Sequence, residues 1–202
     1  MRINTQTILN QLIDIDTQLF LFLNGIHSPF FDVVFYLITN RFFWIPLYLY
    51  LLFIIYKKNQ KTTLVIGLFI GLLFLIADQV SVLLFKEVFE RLRPCHNPEI
   101  QPIVHTLYGK CGGQFGFISS HAANSFALAI FAGSMLKKYY KHILWMLLLW
   151  ATLVSYSRIY AGVHYPADIL VGIMLGTIVG LAVFQMMKLA DRKFNLNIDT
   201  FK

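Results

Sequence analysis

The segment Ser157-Arg158-Ile159-Tyr160-Ala161-Gly162-Val163-His164-Tyr165-Pro166-Ala167-Asp168 joins the end of one long apolar run to the start of another. Pro166 suits the first turn of a helix, where the N–H that proline lacks has no partner to lose. Asp168 then falls inside that opening turn with His164 just ahead of it, and an acidic side chain there can reach back over the turn as in a capping box. An Asp168 carboxylate held against one ring nitrogen of His164 leaves the other facing a substrate. Arg158 adds a fixed positive charge six residues before the histidine. An oriented imidazole beside a guanidinium points to chemistry on a phosphate-like oxyanion. Taken alone, the same histidine also reads as a cap or a half-buried polar group.

The runs on either side decide the fold class. The 202-residue chain is 57% hydrophobic and 16% aromatic, with 13% charged residues and a mean hydropathy of +0.64. That is too apolar for a water-facing surface. The apolar residues gather in runs of helix-spanning length, so the expected fold is all-α, a transmembrane helical bundle in a single domain over 1–202. The start, with Asn4, Gln6, Asn10, Gln11, Asp14 and Asp16, lacks the basic region and compact apolar core of a signal peptide. The net charge of +7 sits largely in short loops beside apolar runs, which membrane topology explains and nucleic-acid binding does not.

Segment 1–28 alternates polar and apolar residues before breaking at Asn24-Gly25 and Ser28-Pro29, and reads as either interfacial or part of a first span. A short apolar piece over 30–39 carries Asp32. Clear spans follow over 42–56, 62–85, 119–136, 143–157 and 166–187. Lys57, Lys58 and Lys61, then Lys137, Lys138 and Lys141, then Lys188, Arg192 and Lys193 close three of these runs on one side, which the positive-inside rule assigns to the cytoplasm. Loop 86–118 and the turn at His164 then share the outer face. Six spans with both ends inside fit this pattern, and five with an outer N-terminal segment is the alternative.

The two outer segments carry the chemistry. Lys86 precedes Arg93-Pro94 by about two helical turns, and with Arg91 these cations would cradle an oxyanion. A belt of basic residues snorkelling to lipid headgroups is the other reading. Downstream, Phe117-Ile118-Ser119-Ser120-His121 leads into a helix for which Ser119 is a natural N-cap. Its first N–H groups and dipole make an anion site, and His121 is placed to protonate a leaving oxygen. The same residues also serve as a plain cap.

Together these clusters resemble the motifs of the type-2 phosphatidic acid phosphatase superfamily, which also includes vanadium haloperoxidases and bacterial acid phosphatases. The family pattern is Lys-six residues-Arg-Pro, then Pro-Ser-Gly-His, then Ser-Arg-five residues-His-three residues-Asp. Here the motifs read Lys86 to Arg93-Pro94, Ser119-Ser120-His121, and Ser157-Arg158 to His164 to Asp168. The second departs, with Ile118 for Pro and Ser120 for Gly; Ser120 keeps a backbone N–H for anion binding while its side chain narrows the pocket. The likeness covers 62–187, more weakly 24–29.

The resemblance implies dephosphorylation of a phosphorylated membrane lipid in a bacterial inner membrane, with the site facing the periplasm or outside and with no metal or other cofactor. It implies that His164 attacks phosphorus to give a phosphohistidine, that Asp168 fixes its tautomer, and that His121 protonates the lipid oxygen and then deprotonates water. Lys86, Arg93, Arg158, Ser119 and Ser120 would hold the non-bridging oxygens. Undecaprenyl diphosphate, lipid A phosphate, phosphatidylglycerophosphate and phosphatidic acid all suit this machinery, and the outer-loop text is similar to the lipid A and undecaprenyl-diphosphate branches. A non-catalytic phospholipid carrier or sensor is an alternative. A vanadate-dependent haloperoxidase is another, against which the spans argue.

Four secondary readings complete the expectations. Cys95 and Cys111, sixteen apart in the outer loop, form a disulfide or stand as two thiols; a zinc site with His96 and His105 matches no familiar spacing. Asp78, costly inside a span, is read as a hydrogen-bonding group facing the bundle before Lys86, or as a structural bond to a neighbouring helix. Phe115, Phe117, Tyr160 and Tyr165 are placed at the pocket mouth or in an aromatic belt.

Overall fold

The computed structural model describes residues 5–198; Asn4 of the polar start and 199–202 of the single-domain range lie outside the described residues. In chain order the helices are α1 (Thr5–Gly25), α2 (Pro29–Thr39), α3 (Ile45–Lys58), α4 (Thr63–Ser81), α5 (Glu87–Phe89), α6 (Ser120–Leu136), α7 (Ile143–Tyr160) and α8 (Pro166–Phe194). A 3-10 turn, Arg41–Trp44, links α2 to α3, and a π-helical turn, Val82–Lys86, links α4 to α5.

Helix α6 is the central stave, packed against α4, α7 and α8. Its buried residues include Ala122, Ala123, Ala127, Ala129, Ala132 and Gly133, too small to hold a neighbour away. Opposite them α8 presents Gly172, Gly176 and Gly180. A Cβ at Gly172 would meet the Ser119 carbonyl oxygen at 2.8 Å, one at Gly180 the Ala127 oxygen at 2.7 Å, and one at Gly176 the Ala123 oxygen. Small residues at four-residue spacing let the two backbones touch, as in membrane helix pairs. The seam has a direct consequence for function. It sets the start of α6 against the start of α8, where the Ser119 N–H donates to the Asp168 carbonyl at 3.1 Å.

Around this core, Leu64, Leu68, Leu149, Leu170, Met174 and Ile178 point outward, the surface a bilayer requires. Three segments, Gln60–Phe89, Ile143–Tyr160 and Pro166–Phe194, are long and apolar enough to cross a membrane. Counting the pair Gln6–Gly25 and Pro29–Thr39, bent by 115°, as one span gives up to four, fewer than the six read from the sequence. The shortfall has a physical reason. Helix α6, at 17 residues, lies inside its neighbours and carries Ala, Gly and Ser where a lipid-facing helix carries Leu, and α3 has only 14 residues. Helix α1 lies across the C-terminal end of α7 and the N-terminal end of α8. Asp16, Phe20 and Asn24 recur at four-residue spacing on one face. Phe20 packs on Tyr165 with ring centroids 5.3 Å apart, and Asn24 Nδ2 donates to the Ile159 and Tyr160 carbonyls at 3.0 Å.

Candidate active site

At the end of α7 the chain turns through Gly162, whose φ of +72° puts any Cβ against the His105 carbonyl and Val104. That turn delivers a buried His164 to the head of α8. Asp168, in the first turn of α8, accepts the Tyr165 N–H on Oδ2 at 2.9 Å, the reach-back expected from the sequence. The same Oδ2 lies 3.4 Å from His164 Nδ1, within ion-pair range but out of line for a full hydrogen bond. Such a contact tightens when the ring gains charge. Burial pushes the His164 imidazole down to about 4; the Asp168 carboxylate resists the fall, and Arg158 and Arg93 add to it. The ring is therefore neutral at pH 7.

The first motif places its cations in two ways. Arg93 donates from Nε to the Phe115 carbonyl at 3.2 Å and from Nη1 to the Cys111 carbonyl at 3.0 Å. These bonds fix the guanidinium without cancelling its charge, and among the described residues no carboxylate comes within ion-pair distance of it. Arg91, expected beside an oxyanion, instead grips Asp168 Oδ1 at 2.9 Å and Asp16 Oδ2 at 2.7 Å. Cys95 and Cys111 are joined as a disulfide with Cα atoms 6.0 Å apart, so their sulfurs are not offered to zinc, and His105 bonds Asp32.

Lys86 reaches the second motif directly. The π-helical turn adds a residue to the turn before it, the kind of bulge that recurs at functional sites. From there Lys86 Nζ donates to Ser120 Oγ at 2.8 Å. Ser81 Oγ donates to the Asp78 carbonyl at 2.8 Å, so in the 2.7 Å contact between the two hydroxyls Ser120 is the donor. The residue that departs from the family pattern thus becomes the seat of the motif lysine. Ser119 is fully buried as the N-cap, its Oγ accepting the Ala122 N–H at 3.4 Å. His121, two residues on, lies within electrostatic reach of Arg158, His164, Lys86 and Arg93. Arg158 donates to Thr39 Oγ1 and leaves a buried Nε with no protein partner.

Three segments far apart in sequence therefore bring two imidazoles, three cations and a buried carboxylate together. Three cations fixed without carboxylate partners among the described residues are able to hold a doubly charged oxyanion. Beside Ser120 and His121 a cavity of about 520 Å³ opens between α2, α3, α4, α6 and α7 and runs past Phe74 and Leu128 to Ile55 and Ala132. Asp78 lies on the wall of this cavity with its side chain exposed, rather than bonded to a neighbouring helix. Tyr160 and Tyr165 are buried, not at the mouth: Tyr160 OH donates to Asp32 Oδ1 at 2.6 Å, and Tyr165 lies under Arg91 at 4.0 Å. Phe117 packs on Phe85 and Phe89. Sequence reasoning did not find Asp16, Ser81 or Thr39. Only Asp16 left a signal, its four-residue spacing to Phe20 and Asn24.

A "Lipid A 4'-phosphatase" of Porphyromonas gingivalis is 41% identical over 177 residues, covering 87% of this chain and 74% of its own. Its namesake in Bacteroides thetaiotaomicron is 44% identical over 168 residues, covering 82% and 73%. Among solved structures, Aquifex aeolicus LpxE superimposes with a TM-score of 0.62 at 28% identity, over 84% of this chain and 94% of that one. The Bacillus subtilis transmembrane PAP2-type phosphatidylglycerolphosphate phosphatase shares the fold, with a TM-score of 0.69 at 24% identity over 89% and 87%. The family model described as "PAP2 superfamily" matches residues 67–192, and the chain belongs to that superfamily.

Proposed function

We propose that this lipid phosphatase removes a phosphate monoester, the 4′-phosphate, from the sugar headgroup of lipid A. The observation that carries the reading is the contiguity of the two halves of the site: the cation trap and the apolar cavity meet at Ser120 and His121. A phosphate at the first and an acyl chain in the second describe a membrane lipid with a phosphorylated head. The two relatives named above support the choice of lipid A over the other phosphorylated lipids.

In this reading His164 attacks phosphorus through Nε2 as the P–O bond to the sugar breaks, and His121 gives the departing oxygen its proton. Asp168 stabilises the positive charge that develops on the His164 ring. Lys86, Arg93 and Arg158 hold the equatorial oxygens, the task a divalent metal performs in other phosphoryl-transfer sites. His121 then takes a proton from water, which attacks the phosphohistidine and releases inorganic phosphate. The lysine-rich ends face the cytoplasm of the inner membrane and the site faces the periplasm. We count five crossings, with 29–58 as one and α1 along the outer interface; the contacts of Asp16, Phe20 and Asn24 support this.

The test is phosphate release by detergent-purified protein from lipid A, undecaprenyl diphosphate and phosphatidylglycerophosphate, side by side in EDTA. Lipid A is expected to turn over fastest, and His164→Ala to abolish release. A strict divalent-metal requirement, or wild-type turnover in His164→Ala, would defeat the mechanism. Faster turnover of either other lipid would reassign the substrate, and tight binding with no release would favour a carrier.

A further inference from the structure

Asp168 has its two oxygens engaged on opposite sides. Oδ2 meets the Tyr165 N–H and the His164 ring, while Oδ1 accepts Arg91 Nη1 at 2.9 Å. Arg91 in turn reaches Asp16 Oδ2 at 2.7 Å through Nη2, and Asp16 Oδ1 accepts the Ala167 N–H at 2.8 Å. The guanidinium lies 4.0 Å over the Tyr165 ring, whose hydroxyl accepts from Asn97, and the Arg91 carbonyl accepts the Gly116 N–H at 2.8 Å. Side-chain exposure is 24% for Arg91, 11% for Asp16 and 0% for Asp168. A planar fork bridging two carboxylates while lying over an aromatic face is a geometry lysine cannot copy.

We propose that Arg91 and Asp16 are positioning residues that hold the Asp168 carboxylate and set the proton affinity of His164. The proposal rests on His164 being the nucleophile. Arg91 draws part of the carboxylate charge to Oδ1, so the histidine feels only the remainder. Asp16 neutralises the far side of Arg91 and ties helix α1 to the head of α8. The groups that act on His164 are then Asp168, which favours its protonation, and Arg158, Arg93 and His121, which oppose it. Removing Arg91 takes away a nearby positive charge and releases the whole carboxylate charge to the ring. Both changes favour the imidazolium, so the pH below which the nucleophile is lost must rise.

The experiment uses the full chain in detergent with EDTA, following phosphate release from lipid A across pH. Arg91→Gln is expected to lower kcat roughly 10- to 100-fold, the scale seen for partners that orient a reacting group from behind. KM should stay near wild type, and the acid limb of kcat should move up by about one pH unit. Arg91→Lys should recover only part of kcat. Asp16→Asn should lower kcat several-fold in the wild-type background and add almost nothing to Arg91→Gln, because residues acting through one another are not additive. An acid limb that stays at the wild-type pH in Arg91→Gln, or losses that simply multiply in the double variant, would overturn the relay. If Arg91→Gln does not fold, Asp16→Asn decides: a raised KM with unchanged kcat counts against it. Activity retained by His164→Ala sinks the nucleophile assignment instead, which keeps the two failures distinct.

Discussion

Arg91 and Arg93 stand two residues apart on the same edge of the outer loop, yet their charges meet opposite fates. Arg91 is gripped by two carboxylates, while Arg93 is held by two backbone carbonyls. The bonds are similar in number and length. A carboxylate partner neutralises the guanidinium; a carbonyl partner orients it and leaves the charge for a ligand. The pair shows how one short segment supplies both a brace and a claw.

The largest test of that contrast is Asp168→Asn, which removes Arg91's buried partner and the charge behind His164; kcat should fall about 10⁴-fold, as when the aspartate of a triad is neutralised. Next, Arg93→Gln should cost about 10²- to 10³-fold in kcat/KM and weaken inhibition by vanadate, an imitator of the five-coordinate phosphorus, to a similar degree. Arg91→Gln should leave vanadate inhibition within a few-fold of wild type, and equal weakening in both variants would erase the distinction. Reducing the Cys95–Cys111 disulfide should loosen the Cys111 carbonyl that orients Arg93 but not the carboxylates that hold Arg91. Activity assays and thermal melts with dithiothreitol should show kcat/KM down about tenfold and a stability loss of about 2–4 kcal/mol.

Smaller effects sharpen the picture around Lys86. Ser120→Gly restores the residue of the family pattern and removes the hydroxyl on which the lysine rests. One hydrogen bond of about 1 kcal/mol sets the scale, a few-fold change in KM. Finally, ¹⁵N-histidine spectra should show His164 neutral from pH 7 down to about 4. Because that value lies below the unfolded histidine near 6.5, the unfolded chain binds the proton first. Stability contributed by the neutral ring is present above about pH 6.5 and lost as the pH falls below it. Acid melts of wild type against His164→Gln report this difference.

The residues legible in sequence were those whose neighbours are local. Lys86, Arg93, His121, Arg158, His164 and Asp168 each sit at a helix end or beside a proline; the lysine-rich loops placed their segments on one side, and the resemblance to the family's motifs joined them into one site. Arg91 was visible as a cation, but its task was not, since Asp16 lies 75 positions away and no short-range periodicity links them. The number of crossings is legible only in part: three segments, or up to four with the bent pair, are long and apolar enough to cross, against the six expected. Helix α6 is wrapped by protein, so its composition reports small-residue packing rather than contact with lipid. Tyr160 and Tyr165 went astray because an aromatic near a loop reads the same whether it faces headgroups or closes over a carboxylate.

The glycine seam between α6 and α8 makes the bundle lopsided in compliance. Where main chains abut, no methylene can swing aside, so that flank behaves as a fixed jamb. In the proposed reading, room for a bulkier acyl chain has to come from the opposite wall, where α3 contributes side chains such as Tyr48 and Leu51 that can change rotamer. On that reading, grafting α3 from a relative should shift the range of chain lengths accepted without disturbing the phosphate chemistry.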